Sequence, residues 1–308
     1  MADRFHYGGQ ALIEGVMMRG PRNIGTAVWL PDGTLETNHR RIPSFYTGRL
    51  RKLPLFRGIL VLLETLLIGT QALLYSAEKA ATGEEGEEMP KGLLWLAVAG
   101  SLAFGVGLFF ILPLLISRSL DAYIASDLVS NLVEGVVRLL IFVIYVAVIG
   151  LMPDIKRVFA YHGAEHRVIN AYEAGVPLEP RAVQDYSTSH ARCGTSFIFV
   201  VLVMAILVLA LLGRPPLWIS IGSRILLLPL IASVSYEFIK WSADHQGNLL
   251  VRIVTAPGLL LQRLVTRKPD DTQVEAAIAA LKEVLDRPEG TKSDAPAFDE
   301  AQPSETPA

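Results

Sequence analysis

The sequence predicts an α-helical polytopic membrane protein with about four transmembrane helices, one interfacial or re-entrant segment and a small β-rich N-terminal unit. Three observations carry this. The 308 residues are 51% hydrophobic and only 19% charged, with a mean hydropathy of +0.40, whereas a soluble domain is nearer a quarter charged. Leu93–Ile116 contains no charge and is long enough to cross a bilayer, and further apolar runs follow it. The chain before Leu55 instead carries turn chemistry between short apolar runs.

Composition also excludes. A net charge of −2 gives nucleic-acid binding no electrostatic footing. The single cysteine, Cys193, rules out an intrachain disulfide framework and leaves a thiol free to act as a ligand. Met1–Arg57 has no early apolar core, so no cleavable signal peptide is expected.

Residues 1–54 read as a β-rich cytoplasmic unit. Pro31-Asp32-Gly33 separates Thr26–Leu30 from Thr34–Glu36 and predicts a hairpin. Gly8–Pro21 (GGQALIEGVMMRGP) is an apolar run broken by Glu14. It reads either as a buried strand with one odd carboxylate, or as a strand on which Glu14 and Arg19 face a shared site, since an unpaired buried carboxylate is costly.

Residues 55–92 hold the apolar stretch Leu55–Ala77, interrupted by Glu64, and the acidic linker Glu84–Glu88. Spans one and two occupy residues 93–152, as Leu93–Ile116 and Leu132–Met152, the latter with Glu134 and Arg138 one turn apart. Spans three and four occupy residues 197–237, as Phe197–Leu212 and Leu217–Val234, joined by the turn Gly213–Pro216. Arg224 lies near the middle of the last span and is expected to face the bundle interior, with Glu64, Glu134 or Glu237 as its partner.

Orientation follows from the basic residues. Met1–Arg57 holds nine and Pro153–Ser196 holds five, whereas Ser117–Asn131 and Gly213–Pro216 hold one each. Basic segments mark the cytoplasmic side, so four spans of the cell membrane put both termini in the cytoplasm. A crossing by Leu55–Ala77 would force the basic N-terminus outside, so that stretch is expected to lie in the interface or re-enter. Residues 238–287 read as cytoplasmic amphipathic helices, one opening on a capping box at Thr272–Glu275 with Val274, Ile278, Leu281 and Leu285 on one face. Residues 288–308, rich in Pro, Glu, Ser and Asp, read as disordered.

Chemistry concentrates in residues 153–196. Tyr161–Gly175 (YHGAEHRVINAYEAG) contains His162, Glu165 and His166 in the order H-x-x-E-H. On a helix the two histidines sit one turn apart on one face, able to grip one metal ion, with Glu165 beside them as a general base. This order is the inverted zincin pattern. Glu173 falls on roughly the same face as a further ligand. A second cluster, Ser187–Phe197 (STSHARCGTSF), adds His190 and Cys193, three residues apart. Four closed ligands would make a structural zinc site, and three plus water a catalytic one. Glu173 or Glu237 could replace Cys193, and Arg19 or Arg192 could stabilise developing negative charge.

These motifs together, GGQALIEGVMMRGP, YHGAEHRVINAYEAG, SHARCGTSF and PDDTQVEAAIAAL, resemble the YqhQ-like family of bacterial membrane proteins of unknown function, described as predicted metal-dependent enzymes. The resemblance runs from about Gly8 to Leu285. It implies that Glu14, Met17, Met18 and Arg19 belong with the site, together with His162, Glu165, His166, His190, Arg192 and Cys193, and it draws attention to Tyr236-Glu237 and Pro269–Asp271. Ala191 stands where the family is expected to have proline. The expected function is a cytoplasm-facing zinc-dependent hydrolase, a peptidase being one form, with lipid as its surroundings and a membrane protein or peptide as its substrate. The alternatives are a non-enzymatic assembly or scaffold factor with a structural metal, and a transporter. Oligomeric state, substrate and metal identity are left open.

Overall fold

The computed structural model describes residues 5, 7–81, 91–190, 193–245 and 247–286. The acidic linker, Arg192 and the C-terminal tail lie outside these. Four strands, β1 (Gly8–Leu12), β2 (Gly15–Arg19), β3 (Asn23–Trp29) and β4 (Leu35–Arg41), form one antiparallel sheet in sequence order. The helices are α1 (Ser44–Thr47), α2 (Phe56–Ala81), α3 (Lys91–Val106), α4 (Leu112–Ser119), α5 (Asp127–Ile149), α6 (Pro153–Glu173), α7 (Pro180–Val183), α8 (Gly194–Ala210), α9 (Leu217–Asp244), α10 (Leu249–Val265) and α11 (Asp271–Leu285). A π-helical turn, Gly107–Ile111, joins α3 to α4.

The two hairpins follow from their turns. Leu12 pairs with Gly15 across the Ile13-Glu14 turn, and Glu14 has a left-handed backbone with φ of 53°. Glu14 is thus a turn residue and not a carboxylate inside a strand. The predicted hairpin at Asp32-Gly33 forms, with Gly33 at φ 81° and the Asp32 carboxylate accepting from the Thr34 N–H at 2.8 Å.

Both sheet faces are buried, and the period of two decides which residue goes where. Val16, Met18 and Ala27 point into a core shared with α6 and α11. Leu12, Met17, Ile24 and Val28 point the other way, against Ile68 and Ala72 of α2. The sheet is therefore the middle layer of a cap assembled from residues far apart in the chain. α11 opens on a capping box, but the cap is Asp270 with Gln273, two residues before the one expected. The difference lies in Asp270, whose carboxylate accepts from the Gln273 N–H at 3.0 Å.

Among the described residues four helices are long and apolar enough to cross a membrane: Phe56–Ala80, Trp95–Ser119, Asp127–Ile149 and Leu217–Ser242. Gly194–Ala210 is shorter. This set differs from the expected one at two places, since the stretch expected in the interface has the length and hydropathy of a span and the expected third span is short. Phe56–Ala81 is one unbroken helix without a re-entrant turn. From Glu64 onward it lies along the sheet: Glu64 meets Arg19, Ile68 and Ala72 enter the sheet core, and Lys79 meets Glu36 at 2.9 Å.

Arg224 finds its partner in the interior, as expected. Its Nε donates to Glu134 at 2.8 Å, and Arg138, one turn from Glu134, donates to the same carboxylate at 2.6 Å. All three side chains are nearly fully buried. Arg138 Nε also donates to the Phe109 carbonyl in the π-helical turn at 2.9 Å.

Candidate metal centre

α6 starts on Pro153, a good first helical residue, and carries His162, Glu165 and His166 into the cap. Helical spacing puts the two imidazoles side by side, with ring centroids 4.4 Å apart. Each is held from behind by a main-chain carbonyl. His162 Nδ1 lies 2.9 Å from the Val265 oxygen at the end of α10, and His166 Nδ1 lies 2.5 Å from the Thr188 oxygen. A carbonyl only accepts, so each Nδ1 carries a proton and Nε2 is the nitrogen that each ring can offer to a metal. This is the outer-shell arrangement that orients metal-ligating histidines.

Cys193 supplies the third group. It caps α8, its sulfur accepting from the Thr195 N–H at 3.3 Å, and the same sulfur lies 3.2 Å from His162 Nε2. One ligand atom each from His162, His166 and Cys193 falls within 4.8 Å of the other two. Two nitrogens and a sulfur are a donor set that suits zinc. His166 and Cys193 are buried, and His162 is half-buried.

Glu165 is buried against β1, where a Cβ on Gly9 would stand 2.9 Å from its Cγ. Its Oε2 is 3.5 Å from His166 Nε2. Burial pulls the His166 imidazole down, but the Glu165 carboxylate and the Cys193 thiol outweigh that and hold it above its ordinary pKa. Burial and the Glu14 carboxylate likewise push the neighbouring Tyr161 phenol up.

His190 approaches but stands outside the triangle, its ring 5.6 Å from that of His166 and its Nε2 3.9 Å from Glu173. Its backbone is gripped on both sides by Gln262 of α10, which accepts from the His190 N–H at 2.9 Å and donates to its carbonyl at 2.8 Å. Glu173 is thus beside His190 at the end of α6.

Three other expectations are corrected. Arg19 and Glu14 do not share a site: Arg19 Nε donates to Glu64 at 2.7 Å, whereas Glu14 accepts from Arg157 Nε at 2.6 Å and from the Tyr161 hydroxyl at 3.2 Å. Arg19 is also not poised over the triangle as a free cation, because Glu64, which Arg51 joins as well, holds it. Glu237 is no candidate ligand, since it accepts from Arg57 Nε at 2.6 Å and from the Leu55 N–H at 3.2 Å. Arg192 lies outside the described residues.

Sequence reasoning missed the Thr188 and Val265 carbonyls, Gln262, and Gly9 behind Glu165. Backbone acceptors leave no trace in residue identity. Gln262 does leave one, as a lone amide on the packed side of an otherwise apolar helix face.

The family model for a protein of unknown function, DUF1385, matches residues 53–287. The chain is similar to the uncharacterized protein YqhQ of Bacillus subtilis (strain 168), 33% identical over 294 residues that cover 91% of this chain and 92% of that one. No solved structure matches. Neither match names a metal, an activity or a substrate.

Proposed function

The chain belongs to the DUF1385 family of proteins of unknown function, and from that premise we propose that it is a membrane protein whose cap carries a zinc-type centre serving hydrolysis. The carrying observation is the convergence of His162, His166 and Cys193, with both histidine Nδ1 atoms tied to carbonyls and Glu165 alongside. A zinc ion bound there would supply Lewis acidity, polarising a substrate carbonyl and acidifying water. The chain's own residues would do the rest. His162, His166 and Cys193 would hold the ion, the carbonyls of Val265 and Thr188 orient the two imidazoles, and Glu165 would serve as the base for water. Arg192, adjoining Cys193 in sequence, is the cation assigned to developing negative charge now that Glu64 holds Arg19.

Elemental analysis of the detergent-purified chain tests the centre. About one zinc per chain is expected, lost in the His162→Ala/His166→Ala variant. Carefully prepared wild-type protein without metal would end the enzyme reading.

One observation favours a second reading, a scaffold with a structural metal. The His190 ring is near enough that a modest shift would bring it in as a fourth ligand. Cobalt substitution separates the two: an open position responds to added azide in the visible spectrum, and a closed one does not.

The membrane arrangement rests on parity. The cap joins β1–β4, α6 and α11 through shared cores, so these elements lie on one side of a bilayer. An even number of crossings must therefore separate β4 from α6, and again α6 from α11. α2 is bound along the sheet, which leaves Trp95–Ser119 and Asp127–Ile149 as the first pair. α8 and α9 are the second pair. Their turns support it: Asn131 donates to the Gly213 carbonyl at 2.9 Å, and Arg214 pairs with Asp121, so both connections sit together at the end away from the cap. The basic residues of the cap favour the cytoplasmic side for it.

A further inference from the structure

We propose that α10 is an in-plane anchor that seats the cap on the anionic headgroups of the cytoplasmic leaflet. The helix has three sides. One packs on α8: Val251, Gly258, Gln262 and Val265 are buried, and Gln262 donates to the Ser196 hydroxyl at 2.8 Å. A second side is apolar and bare, with Leu249, Leu250, Ile253, Val254 and Leu260 all more than half exposed. The third carries Arg252 and Arg263, both exposed. They are eleven residues apart, about three turns at 3.6 residues per turn, so they stand on the same flank.

Charge selects the occupant. LLVRIVTAPGLLLQRLV contains no acidic residue, and neither arginine has an ion pair among the described residues. A water-facing helix would not carry such an apolar side, and a buried one would not carry two bare arginines. An apolar face flanked by arginines without an ion pair among the described residues fits the boundary between acyl chains and phosphates, where an anionic surface attracts each cation. Parity leaves no crossing for α10, because α8 and α9 already return the chain to the cap side. Asn248 caps the start of α10, its side chain accepting from the Leu250 N–H at 2.8 Å. Val265 at the other end holds His162, so the seat of α10 also sets the height of the candidate metal centre above the lipid.

The test uses the full chain in nanodiscs of phosphatidylcholine with and without phosphatidylglycerol. Nitroxide labels go on Leu250→Cys and Leu260→Cys, ten residues or about 15 Å apart along the helix. The wild type, whose Cys193 is buried, is the labelling blank. Collision with oxygen and with a nickel chelate should place both labels at one shallow depth below the phosphates. Depths differing by about 15 Å would mean an inserted helix and would overturn the proposal. So would two water-exposed labels, or labels shielded from both probes by a second copy. In the second arm, the wild type should unfold at higher temperature in the phosphatidylglycerol discs, and Arg252→Gln/Arg263→Gln should lose that gain. No gain in the wild type would overturn the headgroup contact.

Discussion

Glu165 sits one residue before a candidate ligand, and its carboxylate is 3.5 Å from His166 Nε2 while its stem rests on Gly9. A group placed there can act on water without ligating the ion, and the two roles separate on substitution. Glu165→Gln keeps the shape and one acceptor oxygen but removes the base. Metal content should stay near that of the wild type while any hydrolytic activity falls at least a hundredfold, in line with the roughly 10²–10⁴ that general bases contribute. Retained activity would remove Glu165 from the mechanism. Cys193→Ser should lower metal content instead, since a hydroxyl is a far poorer zinc ligand than a thiolate. At this scale the sequence is informative about which side chains converge, because H-x-x-E-H on a helix sets His162 and His166 on one face. It is silent about partners. Glu14 meets Arg157 and Arg19 meets Glu64, pairs separated by 143 and 45 residues, and nothing local to either residue points to the other.

Among the elements, the Arg138–Glu134–Arg224 cluster ties α5 to α9 and, through the Phe109 carbonyl, to the π-helical turn. One carboxylate serves two guanidinium groups, so the three members are not equivalent. Glu134→Gln strands two buried cations and should cost about 3–5 kcal/mol, whereas Arg138→Met leaves Arg224 and Glu134 as a neutral pair and should cost clearly less. Thermal unfolding in one detergent would rank them, and equal losses would refute the shared-carboxylate account. The cap has an equally specific joint. Gly25 of β3 faces α11 so closely that a Cβ would stand 2.7 Å from the Glu283 Cβ. Gly25→Ala should push α11 off the sheet and cost about 1–3 kcal/mol. α2 shows where periodicity stops being enough. Its composition is that of a span, and tertiary contacts, among them those of Glu64, Ile68, Ala72 and Lys79, tie it to the sheet instead. The interfacial reading of Leu55–Ala77 rests on how arginines and lysines are distributed along the whole chain and not on the segment itself.

At the scale of the molecule, the cap constrains the membrane path more tightly than hydropathy does. A three-layer cap built from the N-terminal sheet, α6 and α11 cannot be divided by a bilayer, because Val16, Met18 and Ala27 share one core with Val168, Val274 and Leu281. Reporters fused after Leu285 and inserted at Gly175, the left-handed turn that ends α6, should therefore read the same side. Both should be cytoplasmic. Reporters inserted in the Asp121–Tyr123 turn and at Gly213 should read the opposite side, since Arg214 pairs with Asp121 and Asn131 reaches the Gly213 carbonyl. The discriminating position is Gly213. If α8, with only seventeen residues, failed to cross, Gly213 would report cytoplasmic and α9 would have to carry α11 away from the sheet it covers. An opposite-side reading at Gly213 with a cytoplasmic reading at Leu285 leaves α8 and α9 as the returning pair. It also fixes the candidate metal centre, whose Cys193 caps α8 at the membrane end of the cap, on the cytoplasmic face of the bilayer.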